Sequence, residues 1–378
     1  MKIGILTLPL HANYGGILQA FALQTALERM GHNVVVINQD LDIERNPLDE
    51  IKIAIGYCIR KYILGKKDIG YSTARKLNIE RKELEQYTKA FIDKYIHTYA
   101  VHNLEIDSPR ALDALVVGSD QVWRRRYFEY FYKCGIENAF LKFAEKESIK
   151  RIAYAASFGT DEWEYTQAQT DECSRLLRLF DAVGVREKSA VSLCNTRLKR
   201  DDAELVLDPT FLLDKSDYIR LVENLAVPSS PGNLMCYVLD GLEEKRDFIQ
   251  QVAEERHLVP FYTNSRIDDE SLSPKDRIQP PLECWLRGFM DAQFVITDSF
   301  HACVFSIIFN KPFIVLGNKE RGMARFNSLL SLFSLDDHLI TSFDDYKHDY
   351  AYSIDDEVGE KYVDYMQFSR DFLKDSLQ

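Results

Sequence analysis

Residues 2–37, KIGILTLPLHANYGGILQAFALQTALERMGHNVVVI, decide the fold class. Ile3 to Leu8 is an apolar run of strand length, Pro9 to Gly16 is rich in turn formers, and Ile17 to Met30 carries a wide apolar helical face. Gly31 is a natural helix stop, and Val34 to Ile37 is again apolar and β-branched. Strand, glycine-containing loop, helix and strand make the first unit of a parallel α/β sheet. The apolar run ends at Leu10 without a cleavage pattern, so it reads as a first strand rather than a secretory leader.

The same grammar continues outward. Strands are expected at Ala114–Val117, Ile152–Ala155, Ala182–Val185 and Leu205–Leu207. Near Val227-Pro228-Ser229-Ser230-Pro231-Gly232 the composition turns to linker chemistry. A second series follows, with strands at Leu234–Leu239, Leu258–Tyr262, Phe294–Thr297 and Phe313–Leu316, and helices at Glu243–Arg256, Leu282–Met290 and Phe300–Phe309. The expected architecture is α/β: two Rossmann-like domains with a central cleft at the carboxyl ends of the strands. The boundaries expected are 1–226 for an acceptor-side domain, 227–233 for the linker and 234–350 for a donor-side domain. Residues 351–378 are expected to hold a C-terminal helix that could cross back to the first domain.

At 378 residues the chain is long for one core, in line with two domains. Its net charge of −12 argues against a general nucleic-acid binder, and an anionic substrate would need a local cationic pocket. Seven cysteines without a CxxC pair suit a reducing, cytoplasmic setting, and no apolar run is long enough to span a bilayer. One stretch departs from the acidic average. Between Ile51 and Lys82 nine basic residues face two acidic ones, with Tyr57, Ile59, Tyr62, Ile63 and Leu64 interleaved. This is either a solvated helix face or a peripheral contact with anionic lipid at the cytoplasmic membrane face.

The chain has no Walker A loop, GxGxxG, HExxH or GxSxG, and no zinc-type cluster. Asp40-Leu41-Asp42 is a DxD after a strand, but a solvated acid pair explains it better than a metal site. Four segments carry more chemistry. Asn13-Tyr14-Gly15-Gly16 is either a tight turn or a sugar-accepting helix start. Gly118-Ser119-Asp120-Gln121 places polar residues after a buried strand, where Asp120 is a candidate base or a helix cap. Arg186 stands at another strand end, to fork onto a carboxylate or phosphate or to pair with Glu187 or Asp208. Thr297-Asp298-Ser299-Phe300-His301 opens a helix whose dipole disfavours a cationic histidine unless an anion binds there. Lys319, Arg321 and Arg325 add cations downstream, completing a candidate donor site with Arg186, Ser299 and His301.

These segments together resemble the polysaccharide pyruvyl transferase family. The resemblance spans nearly the whole chain: Asn13 to Gly16 with Leu18-Gln19-Ala20, Gly118 to Trp123, and Ala155-Ala156-Ser157-Phe158-Gly159. It continues through Val185-Arg186-Glu187, Leu207-Asp208-Pro209-Thr210, and Ser299-Phe300-His301 before Lys311-Pro312. It implies a GT-B-like architecture and transfer of a pyruvyl group from phosphoenolpyruvate, the donor substrate, to two sugar hydroxyls. It implies no further cofactor and no metal. The acceptor would be a lipid-linked capsular or exopolysaccharide intermediate. His301 would bind phosphate or donate a proton, and Asp120 would serve as base. Better-known branches carry Arg-Leu-His where this chain has Ser299-Phe300-His301, so either Arg321 or Arg325 supplies the missing cation or the donor is shifted or different. The competing readings are a nucleotide-sugar glycosyltransferase on the same architecture and a non-catalytic scaffold of a polysaccharide assembly complex.

Overall fold

In the computed structural model, which describes residues 1–65, 71–263, 267, 269, 272–317, 322–347 and 356–378, the opening unit forms as its periodicity predicts. β1 (Lys2–Leu6) and β2 (Asn33–Gln39) pair in parallel around the Tyr14–Arg29 helix. With β3 (Thr98–Val101), β4 (Ala114–Val117), β5 (Lys150–Ala156), β6 (Ala182–Val185) and β7 (Glu204–Leu205) they make a seven-stranded sheet ordered β3-β2-β1-β4-β5-β6-β7. The second sheet contains β8 (Leu234–Tyr237), β9 (Pro260–Tyr262), β10 (Phe294–Thr297), β11 (Phe313–Leu316) and β12 (Leu339–Ile340), ordered β12-β11-β10-β8-β9. Every strand pairing among the described residues is parallel. The central strands β4, β10 and β11 are buried along their whole length, as strands covered by helices on both faces must be. The result is two Rossmann-like lobes in a GT-B-like α/β arrangement.

The first helix starts at Tyr14, earlier than the expected Ile17. Asn13 caps it by accepting a hydrogen bond from the Gly16 amide at 3.2 Å, which draws the glycine pair into the first turn. The basic stretch is likewise more broken than one helix. It comprises a Pro47–Cys58 helix, a π-helical continuation over Ile59–Ile63, and a separate Ala74–Leu84 helix.

One apolar cluster runs through both lobes, from Ile3, Ile5 and Leu18 to Trp285, Phe289 and Phe305. Polar ties reinforce it: Tyr14 donates to the Pro280 carbonyl at 2.6 Å, and Gln279 to that of Ala12 at 3.1 Å. The Lys188 amide donates to Ser328 Oγ at 3.0 Å. The Asp356–Ser376 helix lies on the first lobe, where Ser369 Oγ accepts from the Leu207 amide at 3.0 Å and Phe372 meets Tyr154. Among the described residues no helix is long and apolar enough to cross a membrane.

Candidate active site

A parallel sheet opens a crevice where its strand order reverses, because the connections on either side run to opposite faces. In the first sheet that point lies between β1 and β4, and in the second between β8 and β10. The loops leaving β1, β4 and β10 meet there, joined by the loop after β6. Gln19 ties two of them together. Its amide nitrogen donates to Thr7 Oγ1 at 2.9 Å, and its oxygen accepts from the Ser119 amide at 2.9 Å. Asp120 follows with φ +59°, a left-handed conformation that an aspartate tolerates better than most residues.

Asp208 is the hub of the charged groups. Its Oδ2 accepts from Arg186 Nη1 at 2.8 Å and from Ser119 Oγ at 3.4 Å, while Oδ1 accepts from Thr210 Oγ1 at 2.8 Å and the Thr210 amide at 3.1 Å. Arg186 Nη2 reaches Asp120 at 3.3 Å. The Arg186 side chain is 1% exposed and both terminal nitrogens hold carboxylates, so its fork is already occupied. From the other lobe, His301 Nε2 lies 3.6 Å from Asp208 Oδ2, too far for a hydrogen bond but close enough for strong electrostatic contact. That nitrogen is buried and makes no hydrogen bond among the described residues. The guanidinium groups of Arg186 and Arg325 approach the Phe300 ring at 4.6 and 5.3 Å from its centre.

Burial opposes ionisation throughout this cluster, and the neighbours decide the outcome. For Asp208, burial raises the carboxyl, but the His301 contact and then Arg186 outweigh it and hold it well below the usual range. Asp120 is also held low, with Arg186, His301 and Arg325 overcoming burial. Glu187 goes the other way. Burial raises it further than Arg186 and the hydrogen bond from Ser157 can offset. Burial, then repulsion from Arg186, lowers Arg325 to about 10. The cluster thus holds two ionised carboxylates, two cations and a histidine whose Nε2 has no hydrogen-bond partner among the described residues.

Glu187 also organises a loop, since its Oε1 accepts from Ser157 Oγ at 3.0 Å and from the Phe158 amide at 2.9 Å. A carboxyl raised on folding stabilises the protein fully below its unfolded pKa and loses that contribution as pH rises through its folded pKa. Glu187→Gln removes the loss while keeping an acceptor for the loop. The variant's urea midpoint, measured against the parent's between pH 4 and 8, is therefore expected to gain steadily on the alkaline side. A constant difference across that range would rule out the buried acid.

The residues singled out from sequence are not all gathered. Asp120, Arg186, His301 and Arg325 meet, with the Arg325 guanidinium beside the Phe300 ring. Ser299 instead caps its helix, accepting from the Ala302 amide at 3.5 Å. Lys319 and Arg321 lie outside the described residues. Tyr14, expected to face an acceptor, is buried among Trp285 and Tyr237 with its hydroxyl satisfied by Pro280. Gly15 is covered by the His301 ring, while Asn13 and Gly16 remain at the surface. The acids of Asp40-Leu41-Asp42 are paired rather than merely solvated: Asp42 meets Arg81 and Lys82, and Asp40 lies 3.7 Å from His102. The sequence alone offers Asp208 and Glu187 only as pairing partners for Arg186. The signal for Asp208 was its place in Asp208-Pro209-Thr210 directly after a strand.

A Cβ added at Gly15 would overlap His301 from Cβ to Nδ1. Gly15→Ala must therefore displace the imidazole, at a cost of about 1–3 kcal/mol from overpacking. A lowered thermal midpoint together with weakened donor binding is expected, and an unchanged midpoint would show that the two lobes do not close as described.

The sequence model of the family described as polysaccharide pyruvyl transferase matches residues 13–320. No curated protein matches by sequence. Among solved structures, the UDP-GlcNAc 2-epimerase of Neisseria meningitidis is similar with 12% identity and a TM-score of 0.46, over 100% of this chain and 94% of that one. The Methanocaldococcus jannaschii UDP-GlcNAc 2-epimerase has 14% identity and a TM-score of 0.44, over 97% and 100%. Sucrose-phosphate synthase from Thermosynechococcus elongatus has 12% identity and a TM-score of 0.45, over 100% and 97%.

Proposed function

The chain belongs to the polysaccharide pyruvyl transferase family, and from that premise we propose that it moves a pyruvyl group from phosphoenolpyruvate to two hydroxyls of a saccharide, forming a cyclic ketal and releasing phosphate. The acceptor in this reading is a lipid-linked polysaccharide intermediate. The observation that carries the proposal is the buried His301 Nε2, which has no hydrogen-bond partner among the described residues and faces Asp208 at 3.6 Å with Arg186 and Arg325 close by.

The chemistry needs a proton on the donor's methylene carbon, which leaves an electron-poor centre at C2. One sugar hydroxyl attacks that centre and loses its proton. Phosphate then departs with the C–O electron pair, and the second hydroxyl closes the ketal and loses its own proton to the departing phosphate or solvent. His301, in its protonated form, donates to the methylene or to the leaving phosphate, and the Asp208 carboxylate stabilises the imidazolium. Arg325 balances the donor's negative charge. Asp120, ionised and beside Arg186, receives a hydroxyl proton as the bond to C2 forms.

A donor-binding screen tests the assignment. Phosphoenolpyruvate is expected to raise the thermal midpoint of the parent and of Asp120→Asn, but not of His301→Ala. Stabilisation by sugar nucleotides and not by phosphoenolpyruvate would replace this reading with glycosyl transfer. The absence of turnover with every donor would leave the scaffold reading.

A further inference from the structure

A surface helix normally turns its apolar stripe to the core and its polar face to water. The Pro47–Cys58 helix and its continuation over Ile59–Ile63 do the reverse, and no residue in either segment is buried. The face packed on the protein is polar and aromatic. Glu50 accepts from the Ala74 amide at 2.6 Å, the Tyr57 ring lies 5.6 Å from that of Tyr71, and Lys61 donates to the Tyr57 hydroxyl at 2.6 Å. The outward face carries Leu48, Ile51, Ile55, Ile59, Tyr62 and Ile63, from 42% exposed at Ile59 to 75% at Tyr62 and Ile63. Their spacing of three, four, four, three and one residues keeps them on one side of the rod.

The exposed Lys52 and Arg60 lie along the same rod, Lys52 standing 3.3 Å from Asp49, and with Lys61 they outnumber Asp49 and Glu50 in a chain whose net charge is −12. The helix follows β2, whose carboxyl end lies on the same sheet edge as the loop carrying Ser119 and Asp120. We propose that the outward face of residues 47–63 docks the protein on an anionic lipid bilayer, its isoleucines entering the acyl boundary while Lys52 and Arg60 meet headgroup phosphates. Charge favours lipid over a second copy of the chain. A twofold contact through this face would bring its cations together, whereas an anionic bilayer attracts them and repels the acidic remainder. The docked enzyme would hold its cleft edge toward the bilayer, where a lipid-linked saccharide presents its sugars. The inference rests on this face alone, so it fails or survives separately from pyruvyl transfer.

The test is co-sedimentation of the full chain with vesicles of phosphatidylcholine alone or mixed with phosphatidylglycerol. Binding to the mixed vesicles is expected, with little to phosphatidylcholine alone. The combined Ile51→Glu, Ile55→Glu and Ile59→Glu variant should bind at least about tenfold more weakly, as should Lys52→Glu with Arg60→Glu. All five positions are exposed, so the thermal midpoints should match the parent's and certify the fold. Absence of binding to mixed vesicles, equal binding by the variants, or equal binding to both vesicle types would overturn the proposal. A parent dimer in sedimentation velocity that the isoleucine substitutions split, with no vesicle binding, would assign the face to a second copy instead.

Discussion

His301→Ala is expected to reduce phosphate release from phosphoenolpyruvate by about a thousandfold, the range in which a positioned acid–base group acts. The effect should fall on turnover as well as binding, because the imidazole faces Asp208 from the opposite lobe and belongs to the reacting set in the proposed chemistry. Near-ultraviolet circular dichroism should remain like the parent's, since the helix that carries His301 is otherwise anchored by buried Phe300, Val304 and Phe305. His301→Gln separates the roles. Glutamine can still donate a hydrogen bond to phosphate but cannot deliver a proton, so it should restore donor binding without restoring turnover. If both variants turn over like the parent, His301 is only a packing residue.

Arg186→Ala is expected to be the most damaging substitution for stability. It leaves Asp120 and Asp208 buried without the arginine that hydrogen-bonds both, and removing one partner of a buried ionic group costs about 3–5 kcal/mol. The carboxyls of Asp120 and Asp208 are held low in the native state, so their contribution is present above the unfolded aspartate pKa and is lost as pH falls through their folded values. The parent should therefore lose stability toward acid more steeply than Arg186→Ala, in which His301 and Arg325 alone remain to hold the carboxyls down. Pairing the substitution with Asp208→Asn should recover part of the loss by removing one stranded charge. Urea denaturation gives all three values. A midpoint for Arg186→Ala within about 1 kcal/mol of the parent's would mean that the network is not a structural keystone.

Much of the framework was legible because it depends on short-range pattern. Buried runs such as Ala114–Val117 and Phe313–Leu316, and the stop at Gly31, speak for themselves. β3 and β12 escaped notice for a physical reason: one is a largely exposed edge strand and the other is two residues long, so neither shows a buried apolar run of strand length. The site was only partly legible. Asp120, Arg186, His301 and Arg325 stood out by charge and by position after strands. That Arg186 spends both terminal nitrogens on Asp208 and Asp120 depends on which loops meet, and no local pattern encodes it. Tyr14 was misread for a related reason. A glycine-rich helix start offers free amides to a sugar, but the Tyr14 hydroxyl finds Pro280 across the lobe interface.

The central claim is the transfer itself, and carbon-13 NMR of the product tests it most directly. The chain would be incubated with phosphoenolpyruvate labelled at C2 and a panel of methyl hexoside and oligosaccharide acceptors, with released phosphate assayed in parallel. The account predicts one phosphate for each new labelled ketal carbon, formed only with a competent acceptor and absent with His301→Ala. Acceptor-independent phosphate release without a ketal signal, or modification of the same acceptors from a sugar nucleotide instead, would contradict it.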